Sequence, residues 1–287
     1  MLRAIANQHL GHRHASHAIS KLDPTAVIMI ATSIAYYDPA NTCNPVTRVI
    51  SAILNRLWNE IWVDAVVFGT FPLLLDVIAW ACGFRKDLRS LKGTVTHVGI
   101  NAYCRVTMQC HFWRWLTCRK FTGHDGELPA GVVAGHIAPA HNADAQRQTI
   151  GPLYSAGHRH GYEMNDFEWD LLPSMFERIL ASFWKRYNLP IYVTESGCAD
   201  ACVPDTRGVR YLSGCLRAMH NCVESGIDVR GYYYFALHDS FEWAEGYGMQ
   251  FGLYKIDRDS PNLERIPTLR QKLFSHFLES RKHSVVA

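Results

Sequence analysis

Two acidic residues stand where a chain of alternating strands and helices would place reactive groups. Ile191, Tyr192, Val193 and Thr194 form a β-branched and aromatic run, introduced by Pro190 and closed by Gly197. The pattern predicts a short buried parallel strand with Glu195 at its C-terminal end. Residues 231–247, GYYYFALHDSFEWAEGY, form a second such run that also finishes in acids and a Trp, among them Glu242 and Trp243. Carboxylates at strand tips can attack a carbon centre or exchange protons with a substrate. The plainer alternative is an acid entering a solvated loop, and the local pattern alone favours it.

The flanking elements shift that balance. Leu172, Phe176, Ile179, Leu180, Phe183 and Tyr187 recur at three- and four-residue spacing, with Pro173 in the first turn and Asn188 at the end. Val209, Leu212, Leu216, Met219 and Val223 repeat that spacing after the first strand, and Gly226 suits a C-terminal cap. Helix, strand, helix, strand is an α/β pattern whose parallel strands point one way. Glu195 and Glu242 are therefore expected on one face, and in barrels of this type the C-terminal strand ends face the active site.

Several segments carry a resemblance. YVTESG, the run from Asp205 to Tyr247, and FGLYKID are similar to the C-terminal part of glycoside hydrolase family 1, the β-glucosidase family. That family shows TENG, then D-x-x-R-x-x-Y-L, then GY-x-x-W-S-L-x-DNFEW-x-x-GY, then RFGL. Agreement in order over about sixty residues is far more specific than a lone motif. The resemblance implies a partial (β/α)8 TIM barrel holding the family's fifth to eighth strands with their helices.

Earlier segments extend the likeness. Ala26–Ile34 resembles the fifth strand, and the residues before it then fall where the family has its fourth helix. Val46–Trp62 has helical spacing. NRLWNEIWVDAVVFGTFP resembles W-x-x-D-P-x-x-x-G-x-YP, matching at Asp64, Gly69 and Pro72. Asn59-Glu60 mimics the Asn-Glu of the family's acid/base motif but lies in an aromatic helical segment, so Glu60 is not expected to be the catalytic acid. VTHVGINAYCRV resembles the sixth strand. Asn101 and Tyr103, two apart, leave the same face of it. GYEMNDFEWDLLP resembles the entry to the sixth helix, with Glu168 structural.

By resemblance Glu195 is the nucleophile and Tyr103 orients it. Asn101, Phe235, Glu242 and Trp243 bind the sugar, with Glu242 accepting from the 4- and 6-hydroxyls and Trp243 contacting the 3-hydroxyl. Phe235, Ser196 and Gln250 replace the family's Trp, Asn and Arg. A retaining glycosidase needs two carboxyl groups about 5–5.5 Å apart, and it needs no metal or other cofactor. No segment matches the first four strands, so the acid/base carboxylate is expected to be absent. The sequence thus predicts a β-glycosidase weakened or inactive through that loss. The alternative is a pseudoenzyme that binds a β-glycoside or oligosaccharide, or serves assembly, without turnover. A half barrel leaves two sheet edges uncovered. A shortened family member, self-association or a complementing half-barrel chain would each account for them.

Composition bounds the rest. With 48% hydrophobic and 19% charged residues, the 287 residues suit one barrel-sized domain. Residues 122–161 are expected to be one long loop excursion on the loop side. A net charge of +3 argues against nucleic-acid or membrane partners. The first twenty residues lack the apolar core of a secretion signal. The apolar stretch Ala65–Leu75 is too short to span a bilayer and reads as a loop and buried helix start. Nine cysteines without a pairing framework point to reduced thiols and the cytoplasm. Cys198 and Cys202 do not have redox or zinc spacing, and His12, His14 and His17 lack acidic or thiol partners for a metal.

Overall fold

The computed structural model describes residues 2–72, 74–83, 85–110, 148–149, 154–157 and 163–282. Helix α1 (Leu2–Leu22) leads to strand β1 (Met29–Pro39). Helix α2 (Pro45–Leu54) follows, its first turn closed by the Asn44 side chain accepting from the Val46 and Thr47 amides, with Pro45 at the first helical position. It runs into a π-helical turn (Asn55–Asn59) and then α3 (Ile61–Phe68), which Gly69 ends in the left-handed region at φ 72°. Short helices α4 (Leu74–Ala81) and α5 (Arg85–Arg89) precede β2 (His97–Cys110). The stretch Ala65–Leu75, expected as a loop and a helix start, differs in its first four residues, which still belong to α3, and ends in the start of α4.

Strands β3 (Gln148–Thr149) and β4 (Tyr154–Gly157) form an antiparallel hairpin whose second strand pairs with Thr107–Cys110 of β2. The remainder of the expected excursion at 122–161 lies outside the described residues. Helix α6 (Pro173–Tyr187) is stopped by Asn188, a left-handed residue at φ 49°. Then come β5 (Ile191–Ser196), α7 (Thr206–Glu224), β6 (Val229–Tyr234), a small hairpin of β7 (Tyr254–Ile256) with β8 (Arg265–Pro267), and α8 (Leu269–Lys282).

The strands β1, β2, β5 and β6 lie side by side and all parallel, with Met29 opposite His97, Val98 opposite Ile191, and Ile191 opposite Val229. Helices cover one face. Ile34, Val98, Ile100, Ile191 and Val193 pack there against Phe176, Ile179 and Phe183 of α6 and Leu212, Leu216 and Met219 of α7. Each such side chain contributes about 1.5–3 kcal/mol on burial, so this helix-facing core dominates the stability of the sheet. Along β1 the alternation is plain, with Thr32 and Ile34 buried and Ala31 and Ser33 exposed. Tyr233 of β6 is 58% exposed.

Strand β1 starts later and ends later than the expected Ala26–Ile34. Its outward backbone groups explain the extension. The Ala35 amide donates to Asn59 Oδ1 at 3.1 Å and the Ala35 carbonyl accepts from Asn59 Nδ2 at 3.0 Å. Asn55 does the same for Tyr37, at 3.0 and 2.6 Å. Two asparagines four apart on a helical turn thus serve alternate residues of an edge strand, supplying the pairing that a neighbouring strand would give. Beyond this clasp, β1 pairs only with β2 and β6 only with β5 among the described residues. None of the described helices is long and apolar enough to cross a membrane.

Candidate active site

The site is built where the C-terminal end of β5 lies against the middle of β2, with residues that follow β6. Strict alternation would send Thr194 and Glu195 to opposite faces of the sheet. Instead the β2–β5 register slips by one residue, from Ile100 opposite Val193 to Asn101 opposite Glu195. Such an irregularity re-aims side chains. Two successive residues of β5 consequently reach side chains of β2: Thr194 Oγ1 donates to Asn101 Oδ1 at 2.6 Å, and the Tyr103 hydroxyl donates to Glu195 Oε2 at 2.8 Å.

Tyr103 is held by rings on three sides. Its centroid lies 5.6 Å from Trp169, 6.0 Å from Phe235 and 6.3 Å from Phe251, all edge-on. Phe235 also packs edge-on against Phe251 at 5.4 Å. Phe235 is therefore part of the floor that fixes Tyr103 as well as the residue in the expected platform position. Burial, and next the Glu195 charge, push the Tyr103 phenol well above its ordinary pKa. It stays a proton donor throughout the range in which Glu195 is ionised.

Glu242 lies in a tight turn after β6, where its amide donates to the Gly246 carbonyl at 2.7 Å. Ser240 Oγ donates to its Oε1 at 3.1 Å. Burial is the largest influence raising the Glu242 pKa. The hydroxyl of Ser240 opposes it, and the charges of Glu245 and Glu195 add to it. The Glu195 charge is thus among the causes that raise Glu242, and the Glu242 charge among those that raise Tyr103. Trp243, the residue after Glu242, is 93% exposed.

Glu60 sits apart, in the helix layer. Its carboxylate pairs with Arg186 Nε at 3.1 Å and Arg56 at 3.4 Å, and Arg186 also binds Asp64. Asn59, its neighbour in the misleading Asn-Glu pair, is consumed by the clasp on Ala35. Glu168 occupies a turn at φ 58° in which Asn165 Oδ1 accepts from the Phe167 and Trp169 amides. No three His, Cys, Asp or Glu side chains converge as a metal site among the described residues.

Sequence reasoning missed one member of the constellation. Arg270 of α8 is fully buried and its guanidinium reaches the backbone of the segment after Glu195. A charged residue in the first turn of a terminal helix gives no local sign of such burial.

Parallel strands joined through helices that cover one face of the sheet are the arrangement of a partial (β/α)8 barrel. The chain belongs to glycosyl hydrolase family 1, whose profile matches residues 1–283. It is 26% identical over 247 residues to a β-galactosidase of Sulfolobus acidocaldarius, covering 86% of this chain and 42% of that protein. It is 27% identical to beta-glucosidase 28 of Arabidopsis thaliana, covering 98% of this chain and 48% of the relative. Its fold superposes on the family 1 β-glucosidase of Thermotoga maritima with a TM-score of 0.74 at 20% identity, over 96% of this chain and 56% of that one. The chain thus spans about half the length of the relatives it matches.

Proposed function

We propose that this chain carries the nucleophile side of a retaining β-glycosidase site acting on a β-glycoside or oligosaccharide. The observation that carries the reading is the hydrogen bond from Tyr103 to Glu195 at the strand tips. A donor there fixes the direction in which the carboxylate points. A Glu195 oxygen forms a bond to the anomeric carbon as the bond to the leaving oxygen breaks, giving a glycosyl-enzyme that water then hydrolyses. Asn101, Phe235, Glu242 and Trp243 hold the sugar, and a site of this kind rejects an epimer that leaves its polar groups unpaired.

In this proposal β1, β2, β5 and β6 are the fifth to eighth strands of the family barrel. The edge of β1 ahead of the asparagine clasp, up to Ser33, and the edge of β6 take up a complementing half-barrel, which supplies the acid/base carboxylate. Without that acid, turnover requires a leaving group that departs unprotonated. The free thiols of Cys43, Cys82, Cys104, Cys198, Cys202, Cys215 and Cys222 suit a cytoplasmic setting. The test is incubation with a 2-fluoro glucoside bearing a dinitrophenolate leaving group, followed by peptide mass analysis. A label on Glu195 is expected; its absence at saturating reagent overturns the proposal.

The exposure of Trp243 beside Glu242 supports a second reading, a glycoside-binding chain without turnover. It predicts saturable sugar binding that Trp243→Ala abolishes and Glu195→Gln spares. Calorimetry showing no binding eliminates it.

A further inference from the structure

The segment Ser196–Asp200 leaves β5 as irregular backbone, yet Ser196, Cys198, Ala199 and Asp200 are all fully buried. Buried carbonyls away from a strand need donors from elsewhere. The Phe235 amide donates to Ser196 O at 3.0 Å and the Asp166 amide to Ala199 O at 3.1 Å. The carbonyls of Cys198 and Asp200 are served by one side chain. Arg270 Nη1 donates to Cys198 O at 2.6 Å, and Nη2 to Asp200 O at 3.2 Å.

The same guanidinium reaches further. Nη1 lies 3.3 Å from the Tyr234 hydroxyl at the end of β6 and 3.4 Å from Gln250 O, beside the Phe251 ring that packs on Tyr103. Its charge is balanced by Asp205, which accepts from Nε at 2.7 Å and from the Leu269 and Arg270 amides. A planar fork with five donors can serve several carbonyls in one plane, whereas an ammonium cannot. Helix α7 makes room for it with Gly208, where a Cβ would overlap Arg270 Cδ.

We propose that Arg270 is a positioning residue for Glu195, acting through the backbone of residues 196–200. It ties the segment after the nucleophile strand to β6 and to the floor beneath Tyr103, so the carboxylate keeps its approach to the sugar. This rests on Glu195 being the attacking group.

Two variants test it in the full chain. Arg270→Ala removes the fork, and Gly208→Ala displaces it while keeping the charge. Labelling of Glu195 by the dinitrophenyl 2-fluoro glucoside is followed as a maximal rate and a half-saturating concentration, with melting curves for each protein. Both variants are expected to lose at least tenfold in maximal rate with little change in half-saturation. Added guanidinium should restore part of the loss in Arg270→Ala, and Arg270→Lys should restore none. Carbon-13 titration of the Glu195 carboxyl should show a displaced midpoint in both variants. Should Arg270→Ala not fold, Gly208→Ala decides alone. A folded Gly208→Ala protein with unchanged labelling and an unchanged Glu195 midpoint overturns the proposal. Failure of the unaltered chain to label removes the nucleophile reading instead, and the midpoint shift still decides whether Arg270 positions Glu195.

Discussion

The Tyr103 hydroxyl stands 2.8 Å from Glu195 Oε2, joining residues 92 positions apart through the pairing of β2 with β5. The contact accompanies a one-residue slip in that pairing, so the Glu195 carboxylate is aimed by an irregularity in the sheet. The rings of Trp169, Phe235 and Phe251 hold the phenol that marks its position.

Replacing Tyr103 by Phe keeps that packing and removes only the hydroxyl. A hydrogen bond to a charged group is worth about 1.5–3 kcal/mol, so labelling of Glu195 is expected to slow by about ten- to a hundredfold. The melting temperature should change little. Labelling at the original rate would mean that Tyr103 does not orient the carboxylate.

The influence of the Glu195 charge on Glu242 can be read by titration. The folded-state pKa of Glu242 is raised, by burial first and then by its acidic neighbours against the pull of Ser240. Its contribution to stability is therefore fully present below the unfolded-state value, about 4.3, and is lost as pH rises through the raised folded value. Glu195→Gln removes one of the raising charges. The carbon-13 midpoint of Glu242 should then fall toward the ordinary carboxyl range, and an unmoved midpoint would separate the two acids.

Asn59 and Glu60 should part company on mutation. Asn59→Ala leaves the Ala35 amide and carbonyl without their clasp, a loss of about 2–3 kcal/mol, measurable by urea unfolding. Glu60→Gln breaks only partly exposed ion pairs with Arg56 and Arg186, and such pairs contribute about 1 kcal/mol or less. Glu195 labelling should be unchanged by Glu60→Gln. A large loss of labelling there would revive Glu60 as a member of the site.

Acid should loosen the molecule around Arg270. Burial raises the Asp205 carboxyl, but hydrogen bonds from the Leu269 and Arg270 amides and from the guanidinium more than reverse it, so its pKa lies below the ordinary value. Asp200 is lowered in the same way, by Gly208, Arg207 and Cys202 against burial. Such groups stabilise the fold above the unfolded-state value, about 3.9, and the contribution is lost as pH falls through the lowered folded value. Asp205→Asn is expected to cost about 3 kcal/mol at neutral pH, since it strands a buried guanidinium. It should also flatten the acid limb of the stability curve. An unaltered acid limb would show that Asp205 carries none of it.

Much of the architecture was legible in the residues because it rests on local rules. The three- and four-residue spacing from Leu172 to Tyr187, with Pro173 before it and Asn188 after it, marked α6, and the same spacing marked α7. The apolar run before Glu195 marked β5, and the helix–strand alternation marked its parallel pairing with β6. Motif order along the chain carried the family.

Other features belong to tertiary structure alone, because they depend on groups far apart in sequence. Alternation from Val193 would have turned Glu195 to the face opposite Thr194, and only the slipped register brought both to β2. Asn59 looked like half of a catalytic motif until the unpaired edge at Ala35 claimed its amide. Arg270 looked like an ordinary helix-surface charge until the carbonyls of Cys198 and Asp200 were buried against it. Spacing along the chain reports which side chains share a face, but it does not report which backbone groups burial leaves in need of a donor.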